Sequence, residues 1–144
     1  MSAEANCPLC REPGGEVLWQ DGRNRVVWAA QPDHPGLCRV IAHAHVKEMS
    51  DLDADSRART MRAVLAVEEA LRDVLVPDKI NLASFGNVVP HLHWHVIPRF
   101  EDDAHFPNAI WGERLRDVPP RRLPADFARR MAEALRVRLE DAVS

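Results

Sequence analysis

Apolar positions along the chain follow two rhythms. Val17-Leu18-Trp19 and Arg25-Val26-Val27-Trp28 are short runs on either side of Asp21-Gly22-Arg23-Asn24, and they predict a β-hairpin turning at the glycine. Gln31-Pro32-Asp33-His34-Pro35-Gly36 is a loop punctuated by proline and glycine, and residues 38–42 beyond it predict a third strand. The rhythm then changes. Met61, Val64, Leu65, Leu71 and Leu75 recur at helical spacing, so residues 54–75 predict a helix with one buried face. Asp51, Asp53 and Asp55 suit its N-terminus, and Pro77 ends it. Residues 79–85 predict a fourth strand, Gly86-Asn87 a turn and residues 91–97 a fifth strand, which Pro98 stops or places on an edge. Residues 99–120 have no regular pattern. Pro124 suits a helix start, and Phe127, Met131, Leu135 and Leu139 at four-residue spacing carry a second amphipathic helix to about 142.

The link at 86–90 is too short for a parallel crossover, so strands four and five pair antiparallel. The expected fold is α+β, an antiparallel sheet with helices on one face, in a single domain of 144 residues. Composition agrees with one packed core: 46% of residues are hydrophobic and 28% charged. A net charge of −3 argues against a nucleic-acid polymer as partner. No apolar stretch approaches the roughly 20 residues of a membrane span, and the N-terminus does not read as a signal peptide. Three cysteines, two of them in Cys7-Pro8-Leu9-Cys10, suit metal or redox chemistry in a reducing compartment, which places the protein in the cytoplasm. The chain has no tyrosine, so one candidate nucleophile is absent.

The informative segment is His91-Leu92-His93-Trp94-His95-Val96-Ile97. Strand alternation puts His91, His93 and His95 on one side, with Leu92, Trp94 and Val96 on the other to pack against a helix. Same-face neighbours lie roughly 6.5–7 Å apart, so adjacent imidazoles can share one ligand. Three readings follow. The row is a solvated face of an edge strand, a metal site, or a nucleophilic centre in which neutral imidazole attacks phosphorus and its neighbours assist.

The run His-φ-His-φ-His-φ-φ from His91 to Ile97, continued by Pro98-Arg99, resembles the signature of the histidine triad (HIT) superfamily. Asn81, ten residues before the first triad histidine, the segment from Val40 to Val46 with His45, and Cys7-Pro8-Leu9-Cys10 add to the resemblance, which covers about residues 7–100, leaving a C-terminal loop and helix at about 101–144. The resemblance implies a five-stranded antiparallel sheet with two main helices, usually a homodimer. It implies a nucleotide hydrolase or transferase acting on an α-phosphate, with dinucleoside polyphosphates or nucleoside phosphoramidates as substrates. His93 would be the nucleophile and form a nucleotidyl-histidine intermediate. His95 would contact phosphate oxygens and assist the leaving group, His91 would support the triad, and Asn81 would donate to phosphate.

The chain departs from the family pattern in two places. Gly86-Asn87-Val88-Val89-Pro90 stands where many relatives carry Gly-Gln-Ser/Thr-Val. Asn87 replaces the amide, but Val88 offers no hydroxyl, so one phosphate hydrogen bond is missing or supplied elsewhere. Ala29 stands where the family has a ribose-binding Asp or Asn. These losses keep a second expectation alive, a nucleotide-binding regulatory module with little turnover. His43, where a lysine is common, reads as a phosphate contact or as a partly exposed strand-end histidine. No cofactor is expected for catalysis. CxxC alone is half a metal site or a pair of buried thiols. Zinc-bearing relatives complete it with a third-strand histidine and the first triad histidine, which implies structural zinc on Cys7, Cys10, His45 and His91. Cys38 reads as a buried strand residue. Arg99 reads as a phosphate contact or a surface ion pair, and His105-Phe106-Pro107 with Trp111 are candidates to close over the site.

Overall fold

The computed structural model describes residues 4–140. A one-turn helix α1 (Pro8–Arg11) precedes the hairpin of β1 (Glu16–Gln20) and β2 (Asn24–Trp28). Then come β3 (Cys38–Ala42), a 3-10 turn at Met49–Asp51, α2 (Ala54–Leu75), β4 (Lys79–Ala83), β5 (His93–Arg99) and α3 (Phe127–Leu139). The five strands form one antiparallel sheet in the order β1-β2-β3-β5-β4. The α+β expectation therefore holds, with α2 and α3 packed on one face.

Alternation decides what each face buries. Val26, Val40 and Val96 point toward the helices and meet Val64, Val67, Leu71, Met131 and Leu135, all fully or almost fully buried. Trp28 packs edge-on against Phe127 with ring centroids 4.9 Å apart, and its indole N–H donates to the Pro35 carbonyl at 2.6 Å. It serves the core. The side chain of Asp53 accepts from Ser56 N at 2.7 Å and caps α2, as the aspartate cluster suggested. No described helix is long and apolar enough to cross a membrane.

The opposite face is not bare. Val27 and Ile41 pack under Cys7 and Leu9. Ala29, Leu37 and Ile97 pack under Ile110 from the long irregular segment after β5. Gly15 lets the N-terminal segment lie this close: a Cβ there would sit 2.5 Å from the Trp28 carbonyl oxygen.

Several boundaries differ from expectation. Strand five starts at His93 rather than 91 and runs through Pro98 to Arg99. β3 ends opposite Val96, so at Pro98 the ladder has β4 as its one neighbour, where a proline is tolerated. Strand four ends at Ala83, not 85. The last helix begins at Phe127, one turn after Pro124, whose carbonyl accepts from Phe127 N at 3.0 Å. Its expected end at about 142 lies outside the described residues. The one-turn helix α1 had no periodic signal, because four residues show no period.

Docking of α3 rests on its four-residue stripe. Leu135→Ala is expected to lose about 2–5 kcal/mol of stability, whereas Leu65→Ala on the exposed side of α2 stays within about 0.5 kcal/mol of the parent. Urea denaturation midpoints of the two variants check this.

Candidate functional site

β5 lies between β3 and β4, so the histidine row is internal, not on an edge. His93 sits opposite Ile41, and His95 sits between Arg39 on β3 and Ala83 on β4. Paired residues share a face, so Arg39 and His95 stand side by side. His93, His95 and Arg39 line a cavity of about 460 Å³, together with Phe85, the 86–89 turn and Trp111. That volume falls in the range of small-molecule sites. The cavity rim is aromatic: His93–His95, His95–Trp111 and Trp111–Phe85 each meet edge-on with ring centroids 5.0 Å apart.

Two carbonyl contacts fix the histidine tautomers. His93 Nδ1 lies 2.6 Å from the His91 carbonyl oxygen. A carbonyl can only accept, so Nδ1 carries a proton, and in the neutral ring the lone pair is on Nε2. His91 is turned the other way round. Its Nε2 donates to the Ala42 carbonyl at 2.6 Å, leaving the lone pair on Nδ1. That nitrogen does not face the cavity with the other two rings. It lies 3.3 Å from Cys7 Sγ, 3.5 Å from Cys10 Sγ and 3.3 Å from His45 Nδ1.

The four donor atoms of Cys7, Cys10, His45 and His91 all lie within 4.8 Å of one another. A tetrahedral ion with bonds of about 2.0–2.3 Å needs donors roughly 3.3–3.8 Å apart, so this set fits zinc. The helical turn of α1 brings Cys7 and Cys10 to one side, with Cys10 N and Arg11 N donating to the Cys7 carbonyl. Arg25 of β2 pins that turn, donating to the Leu9, Glu12 and Pro13 carbonyls at 2.7–3.1 Å. Ala42 O accepting from His91 is the outer contact that orients a metal-binding imidazole.

Of the other residues the sequence singled out, some line the cavity and some do not. Asn87 and Val88 line the cavity on a turn made by Gly86 at φ +70°, and Val88 is exposed. Asn81 stands two residues from Ala83 on β4, but its Oδ1 accepts from Arg99 Nη1 at 2.7 Å and it does not line the cavity. His43 is exposed beside the β1–β2 turn, with Nε2 3.0 Å from the Asp21 carbonyl oxygen, away from the cavity. Ala29 is buried in the core under Ile110. Arg99 is neither a surface ion pair nor a cavity residue: it is 1% exposed and forks onto Asp103 at 2.9 and 3.1 Å.

That fork anchors the segment carrying Trp111. Asp103 also accepts from the backbone N–H of Phe100, His105 and Phe106. Burial opposes its charge, but these donors hold the carboxyl well below the usual range. His105 turns away from the cavity to His34, Nδ1 to Nε2 at 3.0 Å. His34, Asp103 and His105 cluster tightly enough to suggest a second metal site, but both Asp103 oxygens are already occupied by donors. The cluster fastens the segment. Of the cavity residues, Phe85 and Arg39 carried no sequence signal: Arg39 is a charged residue in an otherwise apolar strand run, and only the pairing with His95 reveals its place.

Burial, then the charges of His93 and Arg39, push the His95 pKa down to about 4. The folded value lies below the ordinary 6.5, so His95 contributes stability that is complete above pH 6.5 and is lost as pH falls toward 4. His91 and His34 are shifted in the same direction by burial. His95→Asn is expected to flatten the urea-stability profile between pH 6.5 and 4 by on the order of 3 kcal/mol. An unchanged profile would contradict the buried neutral ring.

Comparison with known proteins follows this geometry. A family model described as the HIT domain matches residues 11–102. An AP-4-A phosphorylase of Mycobacterium tuberculosis is 31% identical over 102 residues, 65% of this chain and 52% of that protein. The chain thus spans about half the length of that curated relative. Protein hit of Bacillus subtilis is 23% identical over 146 residues, covering 93% of this chain and 100% of that protein. A histidine triad protein from Bradyrhizobium japonicum superposes with TM-score 0.71 at 24% identity, over 96% of this chain and 97% of that one. A zinc-bound histidine triad family protein from Mycobacterium smegmatis superposes with TM-score 0.68 at 20% identity, over 95% and 97%. Both superpositions show the fold. With the three-histidine segment inside the matched region, the chain belongs to the HIT family.

Proposed function

We propose that the protein is a nucleotide hydrolase or transferase that attacks the α-phosphate of a dinucleoside polyphosphate or a nucleoside phosphoramidate through His93. The observation that carries this reading is the 2.6 Å contact from His93 Nδ1 to the His91 carbonyl. In the neutral ring that contact puts the lone pair on Nε2 of a side chain that lines the cavity, as a nucleophile requires. Nε2 bonds to the α-phosphorus as the bond from phosphorus to the leaving oxygen or nitrogen breaks, and the leaving group takes that electron pair, a leaving nitrogen being protonated from solvent as it goes. Water then attacks the nucleotidyl-imidazole: its oxygen bonds to phosphorus and gives a proton up to solvent, the phosphorus–nitrogen bond breaks, the ring nitrogen recovers its electron pair, and a nucleoside monophosphate is released. His95 hydrogen-bonds the phosphoryl oxygens, and Asn87 borders the same space. The family likeness and the AP-4-A phosphorylase relative support a nucleotide substrate.

Cys7, Cys10, His45 and His91 would hold a structural zinc ion. A zinc ion bound by these four side chains would tie the N-terminal turn to the sheet. His91 then keeps its backbone carbonyl where His93 needs it. A homodimer in the cytoplasm completes the proposal, with sedimentation of the purified protein as its check on assembly.

His93→Ala is expected to lower turnover of these substrates by at least about 1,000-fold while the fold is kept. Rapid quenching of wild type without acid should give a nucleotidyl adduct on the peptide containing His93, read by mass spectrometry. Wild-type protein that is stabilised by nucleotides yet turns over none of them would favour the binding module instead. Removing metal with a strong chelator, or Cys10→Ser, should lower the thermal midpoint by several degrees and release one zinc per chain, read by metal analysis. No bound metal in protein purified without chelator would refute the zinc assignment.

A further inference from the structure

Arg39 is the one charged side chain of β3, a strand whose remaining residues are Cys38, Val40, Ile41 and Ala42. Its neighbours across the sheet are Val27 on β2 and His95 on β5. An aliphatic residue would fill this row without desolvating a cation. The guanidinium has one long contact, Nη1 to the Gly14 carbonyl at 3.3 Å. Its Nε is buried with no hydrogen-bond partner, and so is Nδ1 of the adjacent His95. Both residues line the cavity that holds His93. Two unpartnered polar atoms on paired neighbours, at the wall of one cavity, mark a place that a ligand completes.

We infer that Arg39 forms a subsite for a second phosphoryl group, so that the site selects nucleoside polyphosphates over phosphoramidates. This rests on the nucleotide reading above and names its substrate class. An arginine fork binds phosphate oxygens in pairs, and the charge-assisted bonds are the strong ones. With the α-phosphate at His93, the guanidinium beside His95 meets the β-phosphate. A phosphoramidate carries no second phosphate to meet it. Arg39 also supplies the donor that Val88 cannot. Leaving-group chemistry agrees. An amine departs only when protonated, whereas a phosphate departs as an anion, and burial keeps the His95 ring neutral at ordinary pH. No other cation lines the cavity among the described residues.

Calorimetric titration with ADP and AMP tests the assignment without turnover, on His93→Ala and on His93→Ala carrying Arg39→Met or Arg39→Lys. The His93→Ala protein should bind ADP at least about tenfold more tightly than AMP. Arg39→Met should abolish that preference and leave AMP affinity within about threefold. Arg39→Lys, which keeps charge but loses the Nε donor, should restore part of it. It also guards against misfolding, checked by thermal melts of each variant. Equal ADP and AMP affinities, or a preference that survives Arg39→Met in a folded variant, would overturn the subsite. Binding of neither nucleotide to the His93→Ala protein would overturn the nucleotide reading, and the subsite with it. With Arg39 intact in wild type, turnover should favour a dinucleoside polyphosphate over a phosphoramidate, and Arg39→Met should narrow that ratio at least about tenfold.

Discussion

A carbonyl oxygen has no proton to give, and two such oxygens govern this site. Ala42 O settles the ring of His91, and His91 O settles the ring of His93. Each contact commits one nitrogen to donating and leaves the other with its lone pair. One lone pair then faces two thiols and an imidazole, and the other belongs to a ring on the cavity wall. The backbone therefore divides three histidines of one motif between two tasks. The division depends on where β5 begins. His91 lies just before the strand, so its ring can turn toward α1, while His93 and His95 are held by the ladder.

The sheet gives this arrangement its rigidity. β5 is paired on both sides along the stretch that carries His95, with Arg39 and Ala83 as fixed neighbours. Its other face carries Trp94 and Val96 into the helical core. Side chains on such a strand need no loop to hold them, in keeping with the rule that precise sites sit on rigid elements. The variable parts, the 86–89 turn and Trp111, stand on loops around it.

Much of this was legible in the residues. The period of α2, with its aspartate cap, gives its bounds directly, and the alternation from His91 to Ile97 separates site face from core face correctly for His93 to Ile97. The CxxC pair and its two histidines do come together. What escaped was set by burial and by pairing across the fold. The sequence does not show that Arg99 takes the Oδ1 of Asn81, and Arg99 reads as a surface charge until Asp103 folds back beneath it. His43 shares the chain neighbourhood of His45 but turns to the β1–β2 turn. Arg39 looks like an ordinary strand charge until register places it against His95. Pairing register and burial are not local properties: even Arg99 and Asp103, four residues apart, do not show in a window of sequence that they are buried together.

The segment after β5 is stapled at both ends. Arg99 grips Asp103 at its start, while further along Arg116 donates to the Asp103 and Phe106 carbonyls and Arg114 reaches Asp33. Ile110 is its plug into the sheet. Between those fastenings, Trp111 projects over the cavity with half its surface free. The span is thus a riveted visor whose brim stands free. A side chain at that brim can be exchanged without disturbing the packing beneath it.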